Sequence, residues 1–259
     1  MHELSAILAI AHRDLVKLLR DRARLVADLT FPMIFIGVLG TSLQAGFGEG
    51  SGFDLLTFVF TGVLAQTLWQ SAALGVISLI EDRENDFSQE IFVSPISRYS
   101  IVIGKVLGES LVALPQGIAI VAFAAIIGIP LSLGVILALI PAVLVTTLFG
   151  GAFGVLVLSR LPNRRAATQI FPFVMLPQFF LAGVFNPISS LPPILDVLSR
   201  ISPMRYAVDL VRNAYYAVHP EPTDIALASA GTNLAIIGVL FLVFIAAGTA
   251  MFVRAEQNR

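Results

Sequence analysis

Cysteine is absent from the 259 residues, which removes disulfide frameworks and thiol chemistry and leaves the compartment to be read from topology alone. Histidine is nearly absent. His2, His12 and His219 all lie outside the long apolar runs, so an intramembrane serine–histidine pair has no base and a membrane zinc site has no imidazole. A G-x-x-x-x-G-K-[ST] phosphate loop is also missing: the one Gly-Lys pair is Gly104-Lys105, and the motif's first position would fall on Tyr99. Catalysis on this chain, ATP hydrolysis included, is therefore not expected. The span interiors lack the ionisable residues that a proton- or sodium-driven carrier uses for coupling. Asp28 and Glu109 sit near run ends, and Lys105 with Glu109 at i, i+4 reads as a local ion pair. Residues 1–28 have no uninterrupted apolar core of the kind a cleavable signal needs.

Charge is scarce as well, at 13% of residues against 57% apolar, and it falls in blocks. Charge-free runs cover 29–48, 55–80, 110–159, 166–195 and 225–253. A helix needs about 20 apolar residues to cross a hydrocarbon core of roughly 30 Å, so each run is long enough, and 110–159 is long enough for two crossings. It divides at Gly128-Ile129-Pro130, a natural turn between helices. No segment alternates polar and apolar residues as a membrane barrel strand would. The sequence predicts six spans, at about 29–46, 55–80, 106–127, 135–158, 167–186 and 232–253.

Basic residues tend to stay in the cytoplasm. With the N-terminus inside, the inner segments hold thirteen of them and the outer segments three, Arg200, Arg205 and Arg212, which together make up the 16 lysines and arginines of the chain. An even span count puts both termini inside. The expected fold is an all-α polytopic membrane protein with one six-span domain over 29–253, a cytoplasmic tail at 254–259, and a multi-pass location in a prokaryotic cytoplasmic membrane. Residues 1–28 read as an amphipathic helix on the inner leaflet. Leu4, Leu8, Ala11, Leu15, Leu18 and Leu19 share one face, and Arg13, Lys17, Arg20 and Arg24 the other.

The chain must surface at Glu81, because Glu81, Asp82, Glu84, Asp86 and Glu90 are too costly to hold in a bilayer, at about 2.5 to 3.5 kcal/mol for an acid at a span centre. A calcium loop starting at Asp82 fails, since Phe87 and Val93 stand where glycine and glutamate are required. No metal site is expected. Phe87, Ile91 and Phe92 at i, i+4 and i+5 give the acidic segment a small apolar knob before Pro95 ends it, which suits docking on another protein. A merely solvated span exit accounts for the same acids.

Further along, Leu191, Ile194, Leu195, Leu198 and Ile201 repeat at helical spacing, opened by Pro192 and Pro193 and closed by Pro203. This stretch is too short to span. It lies at the outer surface or dips into the membrane, and a plain surface loop is the alternative. In the fifth run Phe171, Phe173, Met175, Phe179 and Phe180 cluster around Pro172 and Pro177, an adaptable apolar surface that serves a substrate path or faces lipid. Gly150 and Gly154 form a small-xxx-small pair for close helix packing.

Three motif groups carry a resemblance. Glu81-Asp82-Arg83-Glu84, Val93-Ser94-Pro95-Ile96-Ser97-Arg98 and Gly104-Lys105 resemble the first cytoplasmic loop of ATP-binding-cassette type 2 exporter permeases, most closely the drug and antibiotic branch. Phe180 to Pro187 with Ser189-Ser190-Leu191-Pro192, and Pro203 to Arg212 with Tyr206 and Asp209, are similar to that family's outer segment. The pattern departs at Asp86, where glycine is expected, and at Arg205, where a small hydroxyl residue is common. The resemblance implies a coupling helix at 81–98, within the loop 81–105, seated on a separate ATPase, and outer gate helices at 187–216. It implies two cytosolic ATPase copies that carry the ATP and magnesium, no cofactor on this chain, and a second permease chain, identical or related. Lipids are the remaining partner, and no nucleic acid is expected. The implied cargo is an apolar or amphipathic molecule moved outward, with carbohydrate or lipo-oligosaccharide export as the alternative. A non-transporting structural protein would be distinguished by failure to bind any ATPase.

Overall fold

The computed structural model describes residues 2–84, 97–159, 161–188, 192–221 and 225–257, and among them the chain is helical and contains no strand. The helices are α1 (His2–Arg20), α2 (Arg22–Ile34), a π-helical stretch (Phe35–Gly40), α3 (Thr41–Ser51), α4 (Leu55–Gly75), α5 (Ile77–Glu84), α6 (Arg98–Ile126), α7 (Leu133–Leu158), α8 (Arg164–Leu181), α9 (Pro193–Ile201), α10 (Pro203–Tyr216) and α11 (Ala230–Gln257). Five stretches are long and apolar enough to cross a membrane: Leu25–Gly48, Leu55–Glu81, Tyr99–Ile126, Leu133–Leu158 and Ala230–Arg254. They match five of the six predicted spans. The predicted fifth span, 167–186, corresponds to α8, which has 18 residues, begins with two arginines and contains Pro172 and Pro177. It is not among those five stretches.

α4 forms the centre. It carries no charge and is mostly buried on every side, as a helix surrounded by others must be, and Phe58, Val59, Phe60, Val63, Leu64, Leu68 and Trp69 are all buried. Asp54 caps its start by accepting a hydrogen bond from the Thr57 amide at 2.7 Å. Burial of apolar surface does not drive helices together inside a bilayer, so association depends on close packing at small residues. The predicted Gly150 and Gly154 pair supplies it: a Cβ at either position would collide with the backbone carbonyl of Trp69 or Ala73 on α4. Beside this contact Trp69 lies 4.6 Å from the Phe153 ring, and Phe149 stacks on Phe244 of α11 at 5.7 Å. These aromatic contacts join α4, α7 and α11.

The third predicted span starts earlier than expected, at Tyr99 rather than 106. Ser97 caps α6 by accepting from the Ser100 amide at 3.1 Å. The charges that set the expected boundary are neutralised inside the helix bundle. Lys105 lies 3.7 Å from Glu109, the predicted i, i+4 pair, and 2.8 Å from Asp14 of α1. Glu109 also accepts from Ser78 Oγ at 2.8 Å. Lys105, Glu109 and Asp14 are all buried, so ionisable groups lie deeper in this stretch than the sequence implied.

α1 packs along α6 through Gly104 and Gly108, whose positions bring Ile7 and Ala11 within 3.2 and 3.0 Å of a hypothetical Cβ. Ala11, Asp14 and Leu18 form the buried face, whereas Leu8 is exposed and Arg13 makes a 3.1 Å pair with Asp14. The packed face thus takes in Ala11 and Leu18 of the predicted stripe, with the buried charge of Asp14 beside them and Leu8 left out. Ile118, Ile126, Leu137, Phe173, Val239 and Leu242 point outward, as side chains do where lipid replaces water.

Candidate functional site

Glu81, Asp82, Arg83 and Glu84 close α5, in line with α4. Glu81 pairs with Arg164 at the start of α8 at 2.9 Å, joining adjacent ends of two predicted spans. Phe87, Ile91, Phe92, Pro95 and Ile96 lie outside the described residues. Ser97 is the cap of α6 and Arg98 its first residue, so the predicted coupling segment is bounded on both sides by described helices.

The outer segment is two helices at a corner. Leu191 lies outside the described residues; Pro192 precedes α9, and Pro203 opens α10. Leu195 is half-buried, and Ile194, Leu198 and Ile201 are exposed, so most of the α9 apolar stripe faces away from the rest of the chain. Arg205, the departure from the family pattern, closes the corner: it hydrogen-bonds Asp196 at 3.3 Å and Ser199. Tyr206 donates to the Arg200 carbonyl at 2.7 Å. The Arg200 hydrogen bond, aided by the charges of Arg200 and Arg205, holds the Asp196 carboxyl below the usual carboxylate range.

α10 is anchored on three sides. Asp209 is buried and accepts from the Leu227 and Ala228 amides at 2.8 and 3.0 Å and from Asn233 at 2.7 Å, fixing the approach to α11. Arg212, also buried, donates to the Gly183 carbonyl at 2.7 Å and lies 3.7 Å over the Phe58 ring. Tyr215 donates to the Pro130 carbonyl at 2.7 Å, reaching the turn between α6 and α7. Gly183 adopts φ 70°, a conformation that favours glycine, and this turn ends the fifth run as a helix.

The residues singled out on α8 do not share one face. Phe171 and Met175 are buried in the core, Phe173 and Phe180 are exposed, and Phe179 borders a cavity of about 340 Å³ between α2, α4, α6 and α8. Gln66, Gln70, Gln116 and Asp28 stand among otherwise mostly apolar lining residues. Sequence reasoning missed it. The available signal was Gln66 and Gln70 at i, i+4 in a charge-free run, with Gln116 alone in another. Among the described residues no group of three His, Asp or Glu is placed to hold a metal.

The family model for ABC-2 type transporters matches residues 5–216. A protein described as a transport permease, ycf38, of Cyanophora paradoxa is 24% identical over 213 residues, covering 81% of this chain and 73% of that one. Nodulation protein J of Rhizobium meliloti is 23% identical over 192 residues, 73% of each chain. The inner membrane transport permease YadH of Escherichia coli is 24% identical over 204 residues, 75% of each.

Proposed function

This chain belongs to the ABC-2 type transporter family, and we propose that it is the membrane permease of an exporter whose ATP hydrolysis is performed by a separate cytosolic subunit present in two copies. The match across residues 5–216 carries the reading, since it takes in the acidic exit at 81–98 and the outer helices together. The missing phosphate loop supports a separate ATPase. Two permease chains form the complete path, either identical or related. The distribution of basic residues supports six crossings with both termini inside, α8 serving as the fifth, and the name of the Escherichia coli relative supports a prokaryotic cytoplasmic membrane.

In this reading residues 81–98 seat on the ATPase. The Glu81–Arg164 pair and the Asp14–Lys105–Glu109 cluster join that loop's two flanking helices to α8 and α1, so movement at the loop is passed to the bundle as a unit. α9 and α10 form the outer gate. The cargo is amphipathic and leaves toward the outer face. Reconstitution in proteoliposomes with a cytosolic ABC ATPase subunit that co-purifies with this chain tests the assignment: hydrolysis should require the ATPase and be stimulated by the permease. Hydrolysis by this chain alone, or no association between the two, would overturn it.

A further inference from the structure

α6 and α7 touch at their ends remote from the turn that joins them: a Cβ at Gly151 of α7 would lie 3.0 Å from Val106 of α6. Nearer the turn they leave a cavity of about 370 Å³ between them. Leu114, Ile118 and Val121 form one wall at i, i+4 and i+7, and Ile136, Ile140 and Leu144 form the other at i, i+4 and i+8. Leu64 of α4, itself buried, is the floor. Apart from Gly117, every side chain that lines the cavity is aliphatic. Ile118, Ile136, Ile140 and Leu144 are exposed, so the cavity opens on the flank of the bundle, on the same outward surface as Ile126 and Leu137.

We propose that this cavity is a site for one acyl chain of a membrane phospholipid, in the leaflet on the side of the α6–α7 turn, which is the outer one in the six-span reading. Both helices have the length and composition of membrane spans, so the medium at the opening is hydrocarbon. A cavity with aliphatic walls excludes water and takes up apolar ligands. Residues 114–121 cover about 10 Å along α6 and residues 136–144 about 12 Å along α7, at about 1.5 Å per residue. That length lies within one leaflet of a hydrocarbon core roughly 30 Å thick. A further helix is a poor fit, because helices associate in a bilayer through small residues or polar side chains. Here the outward rim is isoleucine and leucine, and the one glycine, Gly117, is turned inward, 3.1 Å from Leu68 of α4 when a Cβ is placed on it. A flexible chain can follow such walls, and it gains dispersion contacts on three fixed sides that neighbouring lipids supply only intermittently. The inference rests on α6 and α7 crossing the membrane and not on the ATPase or the cargo.

The test uses the permease alone in nanodiscs of palmitoyl-oleoyl phosphatidylcholine, doped with a phosphatidylcholine that carries a photoreactive diazirine in one acyl chain. After irradiation the labelled peptides are quantified by mass spectrometry, with the outward Val239 and Leu242 of α11 as the reference for ordinary lipid contact. At low probe content, labelling at 114–121 and 136–144 should exceed the reference at least about fivefold, equivalent to about 1 kcal/mol of preference. It should saturate as probe content rises, while labelling of α11 grows in proportion. Ile118→Phe with Ile140→Phe fills the opening and should bring labelling there down to the reference, with α11 unchanged. Saturation is read on the parent protein, so the test does not depend on the double variant folding. Labelling at the cavity that matches α11 and rises in proportion to the probe would overturn the proposal. So would a bismaleimide cross-link between two chains through Ile118→Cys or Ile140→Cys in membranes, which would make this flank a protein interface.

Discussion

Lys105 donates a 2.8 Å hydrogen bond to Asp14, ninety-one residues earlier in the chain, and both side chains are buried. The contact makes the N-terminal helix part of the bundle rather than an element that only rests on lipid. Glu109 and Ser78 extend it to the start of α5.

Removing one member of such a cluster leaves an uncompensated buried charge, at a cost of about 3–5 kcal/mol, whereas replacing both by apolar groups of similar size is often near neutral. Lys105→Met should therefore lower the detergent-solubilised melting temperature sharply, and Lys105→Met with Asp14→Leu should recover part of the loss. A single variant that melts like the parent would show that the cluster does not bind α1 to the bundle.

Gly150 tests the packing of α4 on α7. A Cβ there meets the Trp69 backbone, which cannot move aside as a side chain would, so Gly150→Val must part the helices and should cost on the order of 1–3 kcal/mol as an overpacked site. Gly238 on α11 has nothing within 4 Å, and Gly238→Ala should leave the melting temperature within the error of the parent. Thermal unfolding of the two variants side by side decides it.

Asp209 holds α10 to the segment before α11 through two backbone amides and Asn233. Asp209→Ala leaves those donors unpaired, at about 1–3 kcal/mol for a buried group. Hydrogen exchange at the Leu227 and Ala228 amides should accelerate well before exchange in α4. Exchange unchanged at those two amides would remove Asp209 as the anchor of the outer helices.

Topology is open to chemical labelling because the chain has no cysteine of its own. Single cysteines at Gly50 and Thr223 should react with an impermeant thiol reagent added outside, and one at Asn163 should not. Labelling of Asn163 with Gly50 protected would invert the orientation.

Five helices long and apolar enough to cross a membrane were legible because a charge-free run of sufficient length has few other folds available to it. The start of α6 was not, since Lys105 and Glu109 look like a boundary until Asp14, far away in sequence, is brought beside them. On α1 the predicted stripe was legible at Ala11 and Leu18, but not the buried Asp14, whose partner Lys105 lies on another helix. α8 combines Pro172, Pro177 and its glutamines with phenylalanines, so periodicity alone did not separate buried Phe171 and Met175 from outward Phe173 and Phe180. The cavity beside Phe179 is lined by several residues each of α2 and α4 and by Gln116 and Phe179 from two further helices. Its one local sign is the pair Gln66 and Gln70 at i, i+4; the rest is assembled only by the fold.

The central claim is that residues 81–98 couple this permease to a separate ATPase, and the double variant Phe87→Ala with Phe92→Ala measures it most directly. A few buried aromatic residues usually dominate such interfaces, so detergent co-purification with the ATPase should weaken by about 2–4 kcal/mol and transport should fail. Neutralising Asp86 and Glu90 should do less, with an effect that shrinks at high salt. Both variants should insert and elute like the parent. If the double alanine variant retains its ATPase and transports normally, the acids at 81–90 are only a solvated end of a span and the coupling assignment is wrong.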